Sequence, residues 1–168
     1  SDKCINCNAC LKACQNNRKQ ELTRPIYWKQ GWASDNRIRK GSSSGGLAAA
    51  IERSFVKDGG VVCSCVFRSG RFEFDFAETE EEVSKFAGSK YVKSNPEGIY
   101  SKITERLKAG IKILFVGLPC QVSAVKHYTK NHQNLYTIDL ICHGTPSPMI
   151  LEKFLEDYGI EVKKVENI

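Results

Sequence analysis

Residues 111–142 read IKILFVGLPCQVSAVKHYTKNHQNLYTIDLIC, and this stretch decides the fold of the 168-residue chain. Its apolar runs, at 111–117 and 135–142, are continuous, as in strands that are buried on both faces. The residues between them follow a helical pattern from Cys120 to about Lys130. Strand, helix and strand in this order predict a βαβ unit, which should be right-handed with parallel strands. The chain is therefore expected to have an α/β fold.

The segments around this unit predict a mixed sheet with flanking helices. VVCSCVF and FEFDFAE lie on either side of residues 68–71, which is typical of a β-hairpin. The C-terminal IEVKKVENI begins like a further strand, and residues 15–40 have the polar, irregular composition of a connector. Helices are expected from Gly45 to Gly59, from the Thr79–Glu82 capping box to Phe86, from Asn95–Pro96 to Gly110, and over residues 147–158.

Two cysteines follow the strands of the βαβ unit. Cys120 lies just past the end of the first strand, and Cys142 ends the second. In open α/β sheets, ligands bind outside the carboxyl ends of the strands. The two thiols could therefore share one site, with His143 beside them, or each could be an inert core cysteine. Cys63 and Cys65 are separated by one strand residue and so share a face, which indicates core or site lining.

Four of the eight cysteines lie within residues 4–14, CINCNACLKAC. A disulfide framework would suit a short secreted chain, but clustered thiols in an α/β protein of this size are more typical of metal ligands. The spacing C-x2-C-x2-C-x3-C is that of bacterial ferredoxins and disfavours zinc. It predicts [4Fe–4S] ligands at Cys4, Cys7, Cys10 and Cys14.

One such motif supplies three ligands to its own cluster and one to a neighbouring cluster. No second run of this kind occurs in the sequence. We therefore expect that a first motif lies upstream of Ser1. The C-terminal segment, which begins like a strand without a partner, also leads us to expect a fragment of a longer protein.

Composition limits the classes of partner. The net charge is +6, and the lysines and arginines are scattered rather than gathered in a tail. Because no nucleic-acid motif accompanies this charge, we expect no nucleic-acid partner. No apolar stretch approaches the roughly 20 residues that a membrane span needs, so no membrane span is expected.

A serine- and glycine-rich loop, KGSSSGGL at residues 40–47, precedes the first long helix. Bare backbone N–H groups and hydroxyls at a helix start suit a phosphate group. The loop has neither the Walker lysine pattern nor the dinucleotide GxGxxG pattern. A flexible linker remains the alternative interpretation.

Four motifs in order resemble the coenzyme F420 hydrogenase/dehydrogenase beta-subunit family of iron–sulfur flavoproteins. They are GSSSGGL, FAGSKYVKSNP, ILFVGLPCQVSAV and DLICHGTPSP. The resemblance extends over nearly the whole chain from about Pro25. The cysteine arm resembles the second half of the two-cluster ferredoxin domain that many bacterial members carry. The resemblance thus implies two parts, a partial [4Fe–4S] arm at residues 1–24 and a flavin-binding α/β domain, incomplete at its C-terminus, at residues 25–168.

The resemblance also implies cofactors and the residues that hold them. FAD would be bound by the serine–glycine loop and the GSKYVKS segment, through Ser42, Ser43, Ser44, Gly45, Gly46, Ser89, Lys90 and Tyr91. A further [4Fe–4S] cluster would use Cys120 and Cys142, with a CxxC pair downstream of Ile168. The expected protein is a cytoplasmic oxidoreductase subunit, with a ferredoxin or partner subunit and a small redox substrate such as coenzyme F420. The alternative is an electron-relay subunit without an active site of its own. No catalytic residue is predicted.

Overall fold

The computed structural model describes residues 4–17 and 24–166 of the chain. Their sheet has four strands, β1 (Val61–Arg68), β2 (Arg71–Ala77), β3 (Ile113–Gly117) and β4 (Leu135–Asp139), in the spatial order β2-β1-β3-β4. β1 pairs antiparallel with β2, whereas the pairs β1–β3 and β3–β4 are parallel. The predicted mixed sheet with a parallel βαβ unit is confirmed.

Seven helices accompany the sheet in the described ranges. They are α1 (Ala9–Ala13), α2 (Asn36–Lys40), α3 (Leu47–Lys57), α4 (Glu80–Val83), α5 (Ile99–Lys108), α6 (Pro119–Tyr128) and α7 (Pro148–Asp157). Short 3-10 turns occur at Gln15–Asn17, Ser84–Phe86 and Val162–Lys164. In the described ranges, none of these helices has the length and apolar character needed to cross a membrane.

Two apolar layers hold the sheet between helices. One face of the sheet packs on α5 and α6, with Phe115 and Cys63 at its centre and Ile103 from α5. The other face packs on α3 and the turn at Ser84–Phe86, around Val62 and Leu114. β3 is buried along its whole length because it lies inside the sheet with helices on both faces.

Three details of the sequence-based prediction are wrong. β4 was expected to be buried, but it is an edge strand of the described sheet and Tyr136 is 47% exposed. The C-terminal segment was expected to begin as a strand, whereas residues 162–164 form a 3-10 turn. Residues 15–40 were expected to be irregular, yet α2 forms there because Asp35 caps it and accepts a hydrogen bond from the Arg37 N–H at 2.8 Å.

The helices predicted from Gly45 onward agree with the sequence pattern apart from their terminal residues, whereas α1 was not predicted. α5 begins at Ile99 after Gly98, rather than at Asn95–Pro96. At α4, Thr79 Oγ1 accepts from the Glu82 N–H, as the predicted capping box requires, but the Glu82 carboxylate accepts from the N–H of Glu78. The predicted boundary between arm and domain, at residues 24 and 25, adjoins residues 18–23, which lie outside the described residues.

Candidate functional site

A cleft of about 770 Å³ opens at the carboxyl ends of β3 and β4. Its walls are the loop before α3, the segment at residues 86–94 and the loop at residues 140–146. This volume falls within the range of small-molecule and cofactor sites, which is roughly 300–1,000 Å³. The position agrees with the rule that open α/β sheets bind ligands outside the carboxyl ends of their strands.

The serine–glycine loop forms one wall of the cleft. Ser42 Oγ donates to the carbonyl of Ile38 at 2.8 Å and so fixes the loop to the end of α2. Ser43 Oγ accepts a hydrogen bond from the backbone N–H of Ser89 at 2.7 Å. Ser44 also lines the cleft. The loop is therefore anchored at both sides, which argues against a flexible linker.

The two glycines of this loop lie close to neighbouring side chains. A Cβ on Gly45 would lie 3.2 Å from the Cβ of Trp32, and Gly45 does not line the cleft. Gly46 lines the cleft and has a positive φ of 72°, and a Cβ there would lie 3.1 Å from Ser42 Oγ. Packing within the protein therefore disfavours a side chain at both positions, and the positive φ of Gly46 adds a backbone reason for glycine there.

The N-terminus of α3 opens into the cleft. Leu47, Ala48 and Ala49 line the cleft, and Gly46 at the N-cap position offers no side chain to the first backbone N–H groups. Free N–H groups and the positive end of the helix dipole attract anions. An eleven-residue helix in this position suits a phosphate group of a ligand in the cleft.

Ser89, Lys90 and Tyr91 form a second wall, which the Ser43 hydrogen bond joins to the loop. The ammonium group of Lys90 donates to the carbonyls of Phe86 and Ala87 at 2.8 Å each, and to that of Gly88 at 3.1 Å. Burial lowers the pKa of Lys90, and the attraction of Cys65 and Glu52 opposes this effect. These three hydrogen bonds use the N–H donors of the Lys90 ammonium group and hold the turn at residues 86–88 in shape.

The cleft is also lined by Gln121, a polar residue that sequence reasoning did not single out. Gln121 is buried, accepts from the Leu118 N–H at 3.0 Å and donates to Ser94 Oγ at 2.8 Å. Cys65 lines the cleft too, and burial raises the pKa of its thiol. Cys63, two residues earlier, lies in the apolar core. The prediction that this pair forms core or site lining is confirmed.

Glu52 is the second feature that the sequence analysis missed. It lies on α3, lines the cleft and is only 5% exposed. Burial raises its pKa to about 7, although Lys90 and Arg53 attract its negative charge. Its position four residues after Ala48, on the apolar side of a helix, is the signal that could have identified it.

Cys120 and Cys142 follow neighbouring strand ends. Gly117 of β3 pairs with Asp139 of β4, and each cysteine lies three positions beyond one of these partners. Cys142 thus lies past the strand, not at its last residue as expected. Its Sγ accepts a hydrogen bond from the Gly144 N–H at 3.3 Å and it lines the cleft, whereas Cys120 does not line it. Both are exposed, free thiols at the same sheet edge.

The cysteine arm lies beside α6, the helix that begins at Pro119. Cys4, Cys7 and Cys10 are exposed, and Cys14 is half-buried. Asn6 and Asn8 between them have positive φ angles of 55° and 57°. Within residues 4–17 and 24–166, no three Cys, His, Asp or Glu side chains are gathered as metal ligands would be.

Two stretches of the chain match one protein family. Residues 29–97 match the N-terminal part of the coenzyme F420 hydrogenase/dehydrogenase beta subunit, and residues 110–168 match the model of its C terminus. Together these stretches cover well over half of the chain. The chain belongs to the coenzyme F420 hydrogenase/dehydrogenase beta-subunit family.

One curated relative and one solved structure are also similar to this chain. An uncharacterized protein of Methanocaldococcus jannaschii is 26% identical, and the match covers 96% of this chain and 51% of the relative. A chain of the F420-reducing [NiFe] hydrogenase complex from Methanosarcina barkeri shares the fold, with a TM-score of 0.64 and 21% identity. That match covers 81% of this chain and 51% of the other. The chain thus spans about half the length of the relatives it matches.

Both family regions contribute to the cleft. The N-terminal region supplies the serine–glycine loop and the wall at Ser89–Tyr91. The C-terminal region supplies Gly117, Gln121 and the loop that carries Cys142. The structure therefore brings together seven of the eight residues that the family resemblance implied for a cofactor, all except Gly45, and sets Cys142 at their edge.

Proposed function

We propose that this chain is part of an iron–sulfur flavoprotein oxidoreductase subunit. It passes electrons between ferredoxin-type [4Fe–4S] clusters and FAD, and on to a small redox substrate such as coenzyme F420. One observation carries this proposal: the serine–glycine loop and the Ser89–Tyr91 segment are hydrogen-bonded to each other and line one cleft, which Cys142 also lines.

The cleft fits a dinucleotide-type cofactor. The free N–H groups at the start of α3 suit the pyrophosphate, since that helix end lacks a side-chain cap. Ser44 and the exposed Tyr91 offer hydroxyls on the walls, and Ser43 holds the walls together. The apolar lining from Leu47, Phe74 and Phe86 suits a flat aromatic ring.

The clusters are assigned from cysteine chemistry and spacing. Cys4, Cys7, Cys10 and Cys14 have the ferredoxin spacing, but the described residues do not gather three of them into a metal site. We likewise assign Cys120 and Cys142 as two ligands of a cluster next to the cleft. Residues 1–24 would then be the cluster arm and residues 25–168 the flavin-binding domain.

The flavin would supply the exchange between single electrons and a hydride. The residues of this chain bind and orient it, and their apolar side chains keep water from its ring. The substrate is a small molecule that accepts or donates a hydride in the open cleft. A ferredoxin or a partner subunit is the expected one-electron donor or acceptor.

A relay subunit without an active site is the second candidate function. Exposed apolar side chains on α7, Met149, Ile150 and Phe154, favour it because they suit a contact with another protein surface. In this case the chain would hand electrons to a partner that holds the substrate.

Anaerobic purification of the full-length protein distinguishes the two functions. The oxidoreductase proposal expects bound FAD, with oxidised-flavin absorbance that bleaches on reduction, in addition to iron and sulfide. Iron and sulfide without flavin, after gentle purification and incubation with FAD, would favour the relay. Purified protein that contains neither flavin nor iron would contradict both candidate functions.

A further inference from the structure

Glu52 is placed unusually for a carboxyl group. It is only 5% exposed, yet it lines the cleft. Among the described residues that line the cleft, it is the only aspartate or glutamate. Burying a carboxylate without partners is costly, so a group retained in such a place usually has a function.

The cations near Glu52 are bound to other groups. The Lys90 ammonium donates to three backbone carbonyls. The Arg53 guanidinium donates to the carbonyl of Glu80 at 2.9 Å and to Ser84 Oγ at 2.8 Å. Neither forms an ion pair with Glu52 in the described part of the chain, where the ion pairs join other side chains. Its carboxyl group therefore faces the cleft without a salt-bridge partner.

The other titratable groups of the cleft are less suited to proton exchange. Burial raises the pKa of Cys65 further above neutrality and lowers that of Lys90. Tyr91 and His143 are exposed side chains on the cleft walls, and His143 adjoins Cys142, the candidate cluster ligand. Burial raises the pKa of Glu52 to about 7, so it holds a proton that can leave near neutral pH.

We propose that Glu52 exchanges the proton that accompanies the electron pair entering or leaving the flavin in this cleft. This inference rests on the proposed flavin site. When the bound flavin is reduced, Glu52 releases a proton from its carboxyl oxygen, and an N–H bond forms on the flavin ring. The two electrons come from a one-electron donor protein, and Glu52 regains its proton from water. In the opposite direction, the carboxylate accepts the proton.

The proton and the electron pair leave together as the hydride given to the substrate. In the net reaction, one substrate molecule takes up two electrons and one proton and becomes one reduced anion. Atoms and electrons balance without another reactant. Lys90 and Arg53 stabilise the carboxylate that forms in each cycle, because both attract its charge.

The test uses the full-length FAD-loaded protein and two matched variants. Glu52→Gln keeps the side-chain size and removes the titratable carboxyl proton. Glu105→Gln makes the same change on α5 at an exposed residue that does not line the cleft. Flavin bleaching by reduced methyl viologen is followed by stopped flow from pH 5 to pH 9, in H₂O and D₂O. The carboxyl C=O band is followed by infrared spectroscopy over the same range without reductant.

We expect Glu52→Gln to retain FAD and to bleach at least tenfold more slowly, with a flattened pH profile. Glu105→Gln should behave as wild type. In wild type, the infrared band should titrate near neutral pH, and that band should be missing from Glu52→Gln. The inference is overturned if Glu52→Gln bleaches at the wild-type rate, or if the wild-type carboxyl band titrates only below pH 6. Neither result would contradict the flavin site.

Two further outcomes distinguish a failure of the flavin site from a failure of the role of Glu52. Wild-type protein that binds no FAD contradicts the proposed function, and the inference falls with it. If Glu52→Gln loses FAD or fails to fold, the wild-type measurements decide. A solvent isotope effect on bleaching that follows the titration of the infrared band supports the inference, and its absence overturns it.

Discussion

The backbone N–H of Ser89 donates a hydrogen bond to Oγ of Ser43 at 2.7 Å, and the two residues are 46 positions apart in the chain. This bond joins the serine–glycine loop to the segment that carries Lys90 and Tyr91. Because both segments line the cleft, the bond fixes one wall to the other. A serine in this loop therefore organises the site without needing to touch a ligand.

Replacing Ser43 with alanine should widen and loosen the cleft. The lost hydrogen bond is worth about 1 kcal/mol, so FAD should bind about fivefold more weakly. Fluorescence titration of flavin-free protein measures the change. Ser54→Ala, on the exposed side of α3, is the control and should bind FAD as wild type does. Equal affinity in both variants would mean that the Ser89 bond does not hold the walls of a flavin site.

Gly46→Ala should destabilise the fold. The residue has a φ of 72°, and the new Cβ would lie 3.1 Å from Ser42 Oγ and 3.3 Å from the Cβ of Ala33. We expect a loss of about 1–2 kcal/mol in the free energy of unfolding. Gly31→Ala is the matched control, because its Cβ would meet no atom within 4 Å. Urea unfolding curves that coincide for the two variants would contradict this packing.

Local chemistry made most of the fold predictable from the sequence. The apolar run ending at Gly117 became the buried β3, and the turn at residues 68–71 became the hairpin between β1 and β2. Proline and serine signals placed α7 correctly. These features depend on periodicity and turn residues within a short segment, which a sequence displays directly.

The predictions were wrong where contacts with residues distant in the sequence decide the secondary structure or the burial of a segment. LYTIDLIC is as apolar as an inner strand, but β4 lies at the edge of the described sheet. The sequence of a single strand does not show its position in the sheet. IEVKKVENI alternates like a strand, yet in the described residues its beginning forms a 3-10 turn.

The candidate site was only half predictable for the same reason. The serine–glycine loop and Cys142 stood out as motifs, whereas Glu52 and Gln121 appeared to be ordinary helix residues. Their roles depend on burial and on a distant partner such as Ser94. Lys90, which the family resemblance implied for the cofactor site, does line the cleft, but the sequence did not show that its ammonium group closes a turn.

The cysteine arm allows a test that separates its four thiols. In the full-length protein, Cys4→Ser, Cys7→Ser or Cys10→Ser should remove the iron of one cluster and leave flavin bound. Cys14→Ser should instead damage a neighbouring cluster, because the fourth cysteine of this motif ligates the other cluster. Iron content and electron paramagnetic resonance of the reduced protein distinguish the two. The same cluster lost in all four variants would contradict the two-cluster arrangement.

Glu52 should make the stability of the flavin-free protein depend on pH. Its pKa is raised from 4.5 to about 7 in the folded protein because it is buried. The folded state therefore binds the proton more tightly than the unfolded state does. The stability that the protonated form provides is complete below about pH 4.5 and is lost as the pH rises through about 7. Above that, Glu52 contributes no further change.

The expected loss is about 2–3 kcal/mol in the free energy of unfolding between pH 5 and pH 8, because each pKa unit corresponds to about 1.4 kcal/mol. Glu52→Gln should not show this loss. The free energy of unfolding of the wild type should therefore decrease relative to that of the variant as the pH rises. Asp75 does not interfere: burial acts to raise its pKa, but hydrogen bonds from Lys85 and Arg68 outweigh burial and lower the pKa, so Asp75 titrates only in acid. Urea unfolding at several pH values measures the difference. Parallel pH dependence in the two proteins would show that Glu52 titrates as an ordinary surface glutamate.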